Sequence, residues 1–178
     1  MEIGFSMAYG MQVRAHWRGE ALPELEEHWS ARAKVAASLI APSSRVLDLG
    51  CGACLLRRTL SEGCEWFGYD LRPLQPDVVA LDLDAGEFPD GSYDYVVLLG
   101  VLTWLKRPVE VLKRARQCAP HLIASDRLSR RLWRAADTGE ELEPMLPGTG
   151  WSLDERVVWQ RGKRDNGRPT DYVVCRLR

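Results

Sequence analysis

A short apolar segment that runs directly into a glycine turn constrains the fold of this chain more than any other feature. Arg45 to Leu49 has the composition of a buried strand and continues without a linker into Gly50-Cys51-Gly52. Glycines suit such a turn because the chain bends sharply and because a side chain would block a ligand lying against the backbone. Leu55 to Leu60 predicts a helix after the turn, whose free N–H groups would face an anionic ligand. The segment therefore predicts a ligand site at the carboxyl end of a strand.

Apolar strands and helices alternate along the rest of the chain. Helical spacing predicts a helix over Leu22–Ile40, a second that begins at Pro108 and a third over Arg127–Ala136. The predicted strands are Arg45–Leu49, Glu65–Tyr69, Val78–Leu81, Tyr93–Leu99, His121–Ser125, Glu155–Gln160 and Tyr172–Leu177, with Asn166-Gly167 between the last two. The alternation predicts an α/β fold with a doubly wound, mostly parallel seven-stranded sheet and a C-terminal antiparallel hairpin.

Length and charge limit the class of protein. The chain has 178 residues, of which 46% are hydrophobic and 28% charged. These values are ordinary for globular domains, so we expect residues 1–178 to form one domain, with an N-terminal arm and helix over 1–41 and a core over 42–178. Lys and Arg number 24 against 25 Asp and Glu, for a net charge of −1. This balance argues against a dedicated nucleic-acid partner.

The sequence also bears on location. No apolar stretch approaches the ~20 residues that span a bilayer, and the first residues lack the pattern of a secretory signal. The five cysteines are scattered, which is typical of a reduced compartment. We therefore expect a cytoplasmic protein with no membrane partner. Cys51 and Cys54 have the spacing of half a zinc site, but no second pair accompanies them, so we predict packing cysteines and no metal.

An acid ends the second predicted strand. Asp70 follows Gly50 by twenty residues, a spacing at which a carboxylate accepts hydrogen bonds from two ribose hydroxyls. A strand, a glycine turn and an acid in this order predict a nucleotide-type cofactor, either NAD or S-adenosylmethionine. The NAD fingerprint requires a third glycine where this chain has Leu55. An NAD-binding oxidoreductase is therefore disfavoured.

Four motifs in order resemble the class I S-adenosylmethionine-dependent methyltransferases. They are Val46-Leu-Asp-Leu-Gly-Cys-Gly-Ala-Cys54, Phe67-Gly-Tyr-Asp70, Leu81-Asp-Leu83 followed by Phe88-Pro-Asp-Gly-Ser-Tyr-Asp-Tyr-Val-Val97, and Leu99-Gly-Val-Leu-Thr-Trp-Leu105. The resemblance covers residues 30–125, and the stretch from Asp82 to Leu112 is most similar to the MetW-type branch. It implies a Rossmann-like fold, S-adenosyl-L-methionine as cofactor, S-adenosyl-L-homocysteine as product and a small-molecule substrate.

The resemblance also implies roles for individual residues. The methionine end of the cofactor would lie against Asp48 and the glycine turn, the ribose at Asp70 and the adenine between Leu71 and Asp82. The implied cofactor-binding residues are Asp48, Gly50, Cys51, Gly52, Asp70, Leu71, Asp82, Leu83, Leu99 and Gly100. One departure is Cys54, which stands where the family usually has a third glycine.

Candidates for the acceptor side are fewer. Tyr9, Arg14 and His16 lie in an arm that in such enzymes often folds over the site, and His16 and His28 are the candidate proton acceptors. The alternative for both histidines is a surface position. Trp104 follows the fourth strand, where an indole stacks on a substrate ring or packs in the core. Arg127 either grips an anionic group or belongs to a solvated helix face.

We therefore predict methyl transfer from S-adenosylmethionine to a small molecule. The alternative is a non-catalytic S-adenosylmethionine-binding regulator or partner of another enzyme. The sequence leaves open the acceptor, the catalytic base and the oligomeric state.

Overall fold

A single sheet organises the computed structural model, which describes residues 23–128, 142–163 and 169–178. Its strands are β1 (Arg45–Leu49), β2 (Glu65–Asp70), β3 (Val79–Ala80), β4 (Tyr95–Leu98), β5 (His121–Leu128), β6 (Leu153–Lys163) and β7 (Pro169–Leu177). The α-helices in the described ranges are α1 (Pro23–Ser38) and α2 (Pro108–Cys118). The strand order is β3-β2-β1-β4-β5-β7-β6.

The pairing confirms the predicted α/β fold. β1 to β5 pair with one another in parallel, whereas β7 is antiparallel to both β5 and β6. β1 lies between β2 and β4, with Asp48 opposite Gly68 on one side and Val97 on the other. The strand order reverses between β1 and β4. In open α/β sheets, ligands bind at the carboxyl ends of the strands at this reversal.

The two helices cover opposite faces of the sheet. On one face, Ala36 of α1 packs with Val46 and Val97, and on the other Leu112 of α2 packs with Leu47 and Leu98. All of these side chains are fully buried. Because helices cover both faces, β1 and β4 are almost continuously apolar rather than alternating. None of the described helices is long and apolar enough to span a membrane.

The helix predicted at Leu55–Leu60 is wrong. The structure has consecutive turns there and a 3₁₀ turn over Arg57–Thr59. Cys54 adopts a left-handed conformation (φ 58°), so a helix could begin only after it. The Thr59 hydroxyl bonds back to the carbonyl of Leu56 at 2.8 Å and competes with backbone pairing. The remaining segment is too short to repay helix nucleation.

The end of β5 also differs from the prediction. Arg127 and Leu128, predicted to begin a helix, continue the strand because their backbones pair with Tyr172 and Asp171 of β7. The rest of that predicted helix and Asn166-Gly167 lie outside the described residues. β6 and β7 are longer than predicted because they pair with each other from Leu153 to Lys163.

Candidate functional site

A cavity of about 390 Å³ lies at the carboxyl edge of the sheet, where the strand order reverses. It is formed by the segments that follow β1, β2, β3 and β4 and by one side of α1. All ten residues that the resemblance assigns to the cofactor line it: Asp48, Gly50, Cys51, Gly52, Asp70, Leu71, Asp82, Leu83, Leu99 and Gly100. The structure thus brings together residues spread over more than fifty positions of the chain.

The glycine turn is held against the neighbouring strand. The N–H groups of Gly50 and Cys51 both donate to the carbonyl of Tyr69, at 2.7 and 3.1 Å. Gly50 has a φ of 74°, and a Cβ there would lie 2.4 Å from Cγ2 of Val101, so a side chain is excluded by contact. Gly52 has a φ of 51°, and a Cβ there would meet nothing within 4 Å. Gly52 therefore presents bare backbone to the cavity.

Asp70 ends β2 and is tied to that turn. Its Oδ2 accepts from the N–H of Gly52 at 2.9 Å, and its Oδ1 accepts from the N–H of Arg72 at 2.9 Å. Each carboxylate oxygen keeps a second lone pair for a ligand. The side chain is therefore fixed in orientation before any ligand binds.

Asp48, the last-but-one residue of β1, is a buried acid at the floor of the cavity. Only 2% of it is exposed, and its Oδ2 accepts from the indole N–H of Trp66 at 3.1 Å. Burial raises the pKa of Asp48 to about 7, and the neighbouring charge of Asp70 adds to this shift. The Trp66 hydrogen bond and the Arg32 charge oppose the shift in the pKa of Asp48. The carboxyl group therefore changes charge near neutral pH.

The segment after β3 forms another wall of the cavity. Oδ1 of Asp82 accepts from the N–H groups of Asp84 and Ala85, at 2.9 and 3.2 Å, and so caps a 3₁₀ turn over Leu83–Ala85. Leu71, which also lines the cavity, is 60% exposed. An exposed leucine and a capped acid in the same cavity provide an apolar surface and a polar edge, which suit a planar base.

Three residues of α1 also line the cavity, Trp29, Arg32 and Ala33, and the sequence did not identify them as site residues. Nη1 of Arg32 lies 2.6 Å from the position of a Cβ on Gly100, so the missing side chain of Gly100 makes room for the guanidinium. Arg32 lies three residues after Trp29, which is the spacing of one helix face. The spacing places Arg32 and Trp29 on one helix face, but it does not reveal that this face lines the cavity.

Of the candidate residues for binding the acceptor, the structure places Trp104 in the cavity and His28 outside it. Trp104 lines the cavity and is 43% exposed. His28 lies elsewhere, with its ring centroid 4.5 Å from that of Trp159 and 5.9 Å from that of Tyr172. Burial there lowers the pKa of His28 to about 4, and the Arg32 charge acts in the same direction. Tyr9, Arg14, His16 and the side chain of Arg127 lie outside the described residues.

The cysteines of the turn are poor nucleophiles. Cys51 lines the cavity, and burial, reinforced by the charge of Asp48, raises the pKa of its thiol far above the ordinary value. Burial also raises the pKa of Cys54. Both are free thiols. Within the described ranges, no group of three or more His, Cys, Asp and Glu side chains is placed to hold a metal ion.

The strand order and the acid-flanked glycine turn define the class I S-adenosylmethionine-dependent methyltransferase superfamily. The chain belongs to it: a family model described as "Methyltransferase domain" matches residues 20–156. Membership supports S-adenosylmethionine as the cofactor and S-adenosylhomocysteine as the product form. The finer resemblance to the MetW-type branch stays a prediction.

Solved structures share the fold at low sequence identity. The [4+2]-cyclase SpnF aligns with a TM-score of 0.62 at 13% identity, covering 84% of this chain and 80% of the cyclase. The N-methyltransferase NodS from Bradyrhizobium japonicum WM9, in complex with S-adenosyl-L-homocysteine, aligns with a TM-score of 0.60 at 16% identity. The alignment covers 91% of this chain and 90% of NodS. A SAM-dependent methyltransferase from Aquifex aeolicus aligns with a TM-score of 0.54 at 14% identity. The alignment covers 88% of this chain and 99% of the Aquifex protein. Among curated proteins, no relative matches the chain.

Proposed function

We propose that this protein transfers the methyl group of S-adenosylmethionine to a small-molecule acceptor. One observation carries the proposal. All ten residues to which the resemblance gives a cofactor-binding role line one cavity, at the place where the strand order reverses. The donor set fits this cofactor. The cavity offers a carboxylate for an ammonium group, a fixed carboxylate for ribose hydroxyls and bare glycine backbone between them.

In this proposal Asp48 faces the cofactor's ammonium group, and Asp70 accepts from the ribose hydroxyls. Leu71 and Asp82 take opposite sides of the adenine, with the backbone of Leu83 at its ring edge. Asp70 supports the assignment because two backbone N–H groups already fix its carboxylate, so it loses little freedom when ligand hydroxyls bind.

We assign the cofactor's carboxylate to Arg32. The chain lacks the α-helix expected after the glycine turn, so no helix N-terminus is available there to face an anion. The Arg32 guanidinium lies against Gly100 at the end of β4, within electrostatic range of Asp48. A guanidinium fork pairs with a carboxylate through two hydrogen bonds.

The bound cofactor supplies a methyl group activated by its sulfonium. The residues of this chain then have to align the acceptor and exclude water, and orientation alone supplies ~7–11 kcal/mol of a typical barrier. Trp29, Trp104 and Leu105 give the cavity an apolar wall on the proposed acceptor side. We propose that Trp104 stacks on the acceptor. Tyr9, Arg14, His16 and Arg127 remain proposed substrate contacts, with His16 rather than His28 as the candidate base.

The second candidate function is cofactor binding without methyl transfer. This alternative is a non-catalytic regulator or partner of another enzyme. A fold neighbour is named as a [4+2]-cyclase, so methyl transfer does not follow from the fold alone. NAD-dependent oxidation receives no support from the family.

Calorimetry with S-adenosylmethionine, S-adenosylhomocysteine and NAD tests the proposal. We expect both sulfur ligands to bind and NAD to bind more weakly than either. Tighter binding of NAD would overturn the proposal. A second experiment supplies methyl-labelled S-adenosylmethionine with pools of small hydroxyl, amine and thiol compounds. Label transfer supports catalysis, and tight binding with no transfer to any pool favours the non-catalytic alternative.

A further inference from the structure

The Trp66 side chain of β2 extends over Gly68 and donates a hydrogen bond to Asp48, a residue of the candidate site. Trp66, Gly68 and Asp70 alternate to one face of the strand. The indole lies over Gly68: a Cβ on that glycine would be 2.0 Å from Cη2 and 2.3 Å from Cζ2 of the ring. Gly68 is opposite Asp48 in the pairing of β2 with β1. Glycine at position 68 therefore opens the path by which the indole N–H reaches Asp48.

The indole is also supported on its outer side. The guanidinium of Arg57 lies over the ring, 5.1 Å from its centroid, and forms an ion pair with Asp77. A cation over an indole face is attracted by the ring's quadrupole. Arg57 belongs to the 3₁₀ turn that replaces the expected helix. The 3₁₀ turn that stands in place of the predicted helix thus positions the Arg57 guanidinium over the Trp66 ring.

Asp48 needs such a partner because of where it is. Its neighbours with charge or a titratable proton are Asp70 of β2, Arg32 of α1, and Cys51 and Cys54 of the turn. Asp70 disfavours a charged Asp48, whereas Arg32 and the Trp66 N–H favour it. A buried carboxylate that loses a hydrogen bond becomes harder to ionise and loses its fixed orientation.

We propose that Trp66 is a positioning residue for the cofactor site, whose indole N–H holds the Asp48 carboxylate toward the ammonium end of the bound cofactor. This inference rests on the proposed cofactor function. Trp66 acts through Asp48 and touches neither cofactor nor acceptor. Three contacts support this role: the indole packs over Gly68, the Arg57 guanidinium lies over the ring, and the indole N–H donates to Asp48 at 3.1 Å.

The test is Trp66→Phe, which keeps an aromatic ring over Gly68 and removes the N–H. Trp151→Phe is the matched control, because it also removes one buried indole N–H, bonded to the carbonyl of Leu112 at 2.8 Å, in the core and away from the cavity. Calorimetry with S-adenosylhomocysteine is run on wild type and both variants between about pH 5.5 and about pH 8, which brackets the pKa of Asp48 near 7. Circular dichroism verifies that each variant is folded.

We expect wild-type affinity to rise with pH through about 7, as Asp48 becomes charged. In Trp66→Phe this rise should move to higher pH. If the pKa of Asp48 rises by about one unit, the charged fraction of Asp48 at pH 7 falls from about one half to about one tenth, so affinity at pH 7 should fall about fivefold. In Trp151→Phe, affinity and its pH profile should not change, even if the melting temperature falls. A pure packing role for Trp66 would lower stability and leave the midpoint of the pH profile in place, which would overturn the inference.

Failure of the proposed function and failure of the Trp66 role give different results. If wild-type protein does not bind S-adenosylhomocysteine, the proposed function fails and the role of Trp66 fails with it. If wild type binds and Trp66→Phe binds with the same affinity and pH profile, only the role of Trp66 is overturned. Should Trp66→Phe not fold, Arg57→Gln is the second variant. It loosens the indole from outside, and it should move the pH profile in the same direction by a smaller amount.

Discussion

The backbone N–H of Gly52 donates to Oδ2 of Asp70 at 2.9 Å, which joins the glycine turn after β1 to the acid at the end of β2. The resemblance implies separate ligand contacts for these two residues, one for the methionine end and one for the ribose. The hydrogen bond makes them one unit, because a change in Asp70 also releases the turn. Asp70 therefore has both a structural role and a proposed binding role, and experiments must separate them.

Replacing Asp70 with Asn should weaken the binding of S-adenosylhomocysteine by about tenfold to a hundredfold. The variant keeps one oxygen acceptor for the Gly52 N–H but sets an amide NH2 against the Arg72 N–H and loses the charge. A hydrogen bond to a charged acceptor contributes ~1.5–3 kcal/mol. Isothermal calorimetry gives the affinity and urea unfolding the stability.

Asp94→Asn is the control for this prediction. Asp94 also accepts a backbone N–H, from Arg45 at 2.7 Å, but at the opposite edge of the sheet. Its variant should bind the ligand as wild type does. Equal affinities in Asp70→Asn and Asp94→Asn would show that the ribose is held elsewhere.

Replacing Gly52 with Ala should reduce ligand affinity far more than stability. A Cβ at position 52 meets no protein atom within 4 Å and would project into the cavity, where it excludes the ligand from the backbone. The left-handed backbone there (φ 51°) makes alanine cost about 1–2 kcal/mol of folding free energy.

Gly86→Ala carries the same backbone cost without touching the site. Gly86 has a φ of 84°, also has open space around a Cβ, and ends the turn after β3 outside the cavity lining. Both alanine variants should show similar losses in urea unfolding, and only Gly52→Ala should lose ligand binding. Retained binding in Gly52→Ala would place the ligand away from the turn.

The sequence predicted the strands and the cavity edge well, for a physical reason. β1 and β4 are buried on both faces, so they are apolar almost throughout, with Arg45 and Asp48 as the charged residues of β1. Gly50 is required by a positive φ and a close contact with Val101. These are local requirements that single residues reveal. The strand order then follows from the family pattern, and it brings distant motifs to one edge.

The sequence predictions that are wrong concern segments where tertiary contacts override the local preference for a helix. The residues around Arg57 have helical composition, but they form consecutive turns and a 3₁₀ turn between the left-handed Cys54 and the extended Leu60. Arg127 extends β5 because β7 is available to pair with it, which depends on residues more than forty positions away. The roles of Arg32 and Trp66 depend on packing across α1 and β2, and no spacing rule within the chain reveals such contacts.

His28 should make stability fall at low pH. Burial against Trp159 and Tyr172 lowers the pKa of His28 to about 4 from an ordinary value of 6.5. A histidine that is harder to protonate in the folded state contributes stability that is complete above about pH 6.5 and is lost as pH falls toward 4. His28→Phe keeps an aromatic ring without the proton. As pH falls from 6.5 to 4, the unfolding free energy of wild type should therefore decrease relative to that of His28→Phe. A constant difference would show that the ring is solvated in the folded protein.

Asp48 should act on stability with the opposite sign. Its folded pKa is raised from 3.8 to about 7, so the folded protein retains a proton that the unfolded chain releases at lower pH. The folded state then binds more protons than the unfolded state across this range, and stability falls as pH rises from about 4 to about 7. Asp48→Asn removes the titration, so wild type should lose stability relative to this variant over that range in urea unfolding.

Bound ligand should remove most of this dependence on Asp48. An ammonium group placed against the carboxylate favours its charged form, lowers the pKa of Asp48 and brings it closer to the unfolded value. With saturating S-adenosylhomocysteine, the stability difference between wild type and Asp48→Asn should therefore vary much less between pH 4 and pH 7 than it does without ligand. Unfolding curves for the two proteins, each measured with and without ligand, make the comparison. If the ligand stabilises both proteins equally at every pH, its ammonium group lies away from Asp48. The assignment of the methionine end to the floor of the cavity would then be wrong, even if the adenosine end binds as proposed.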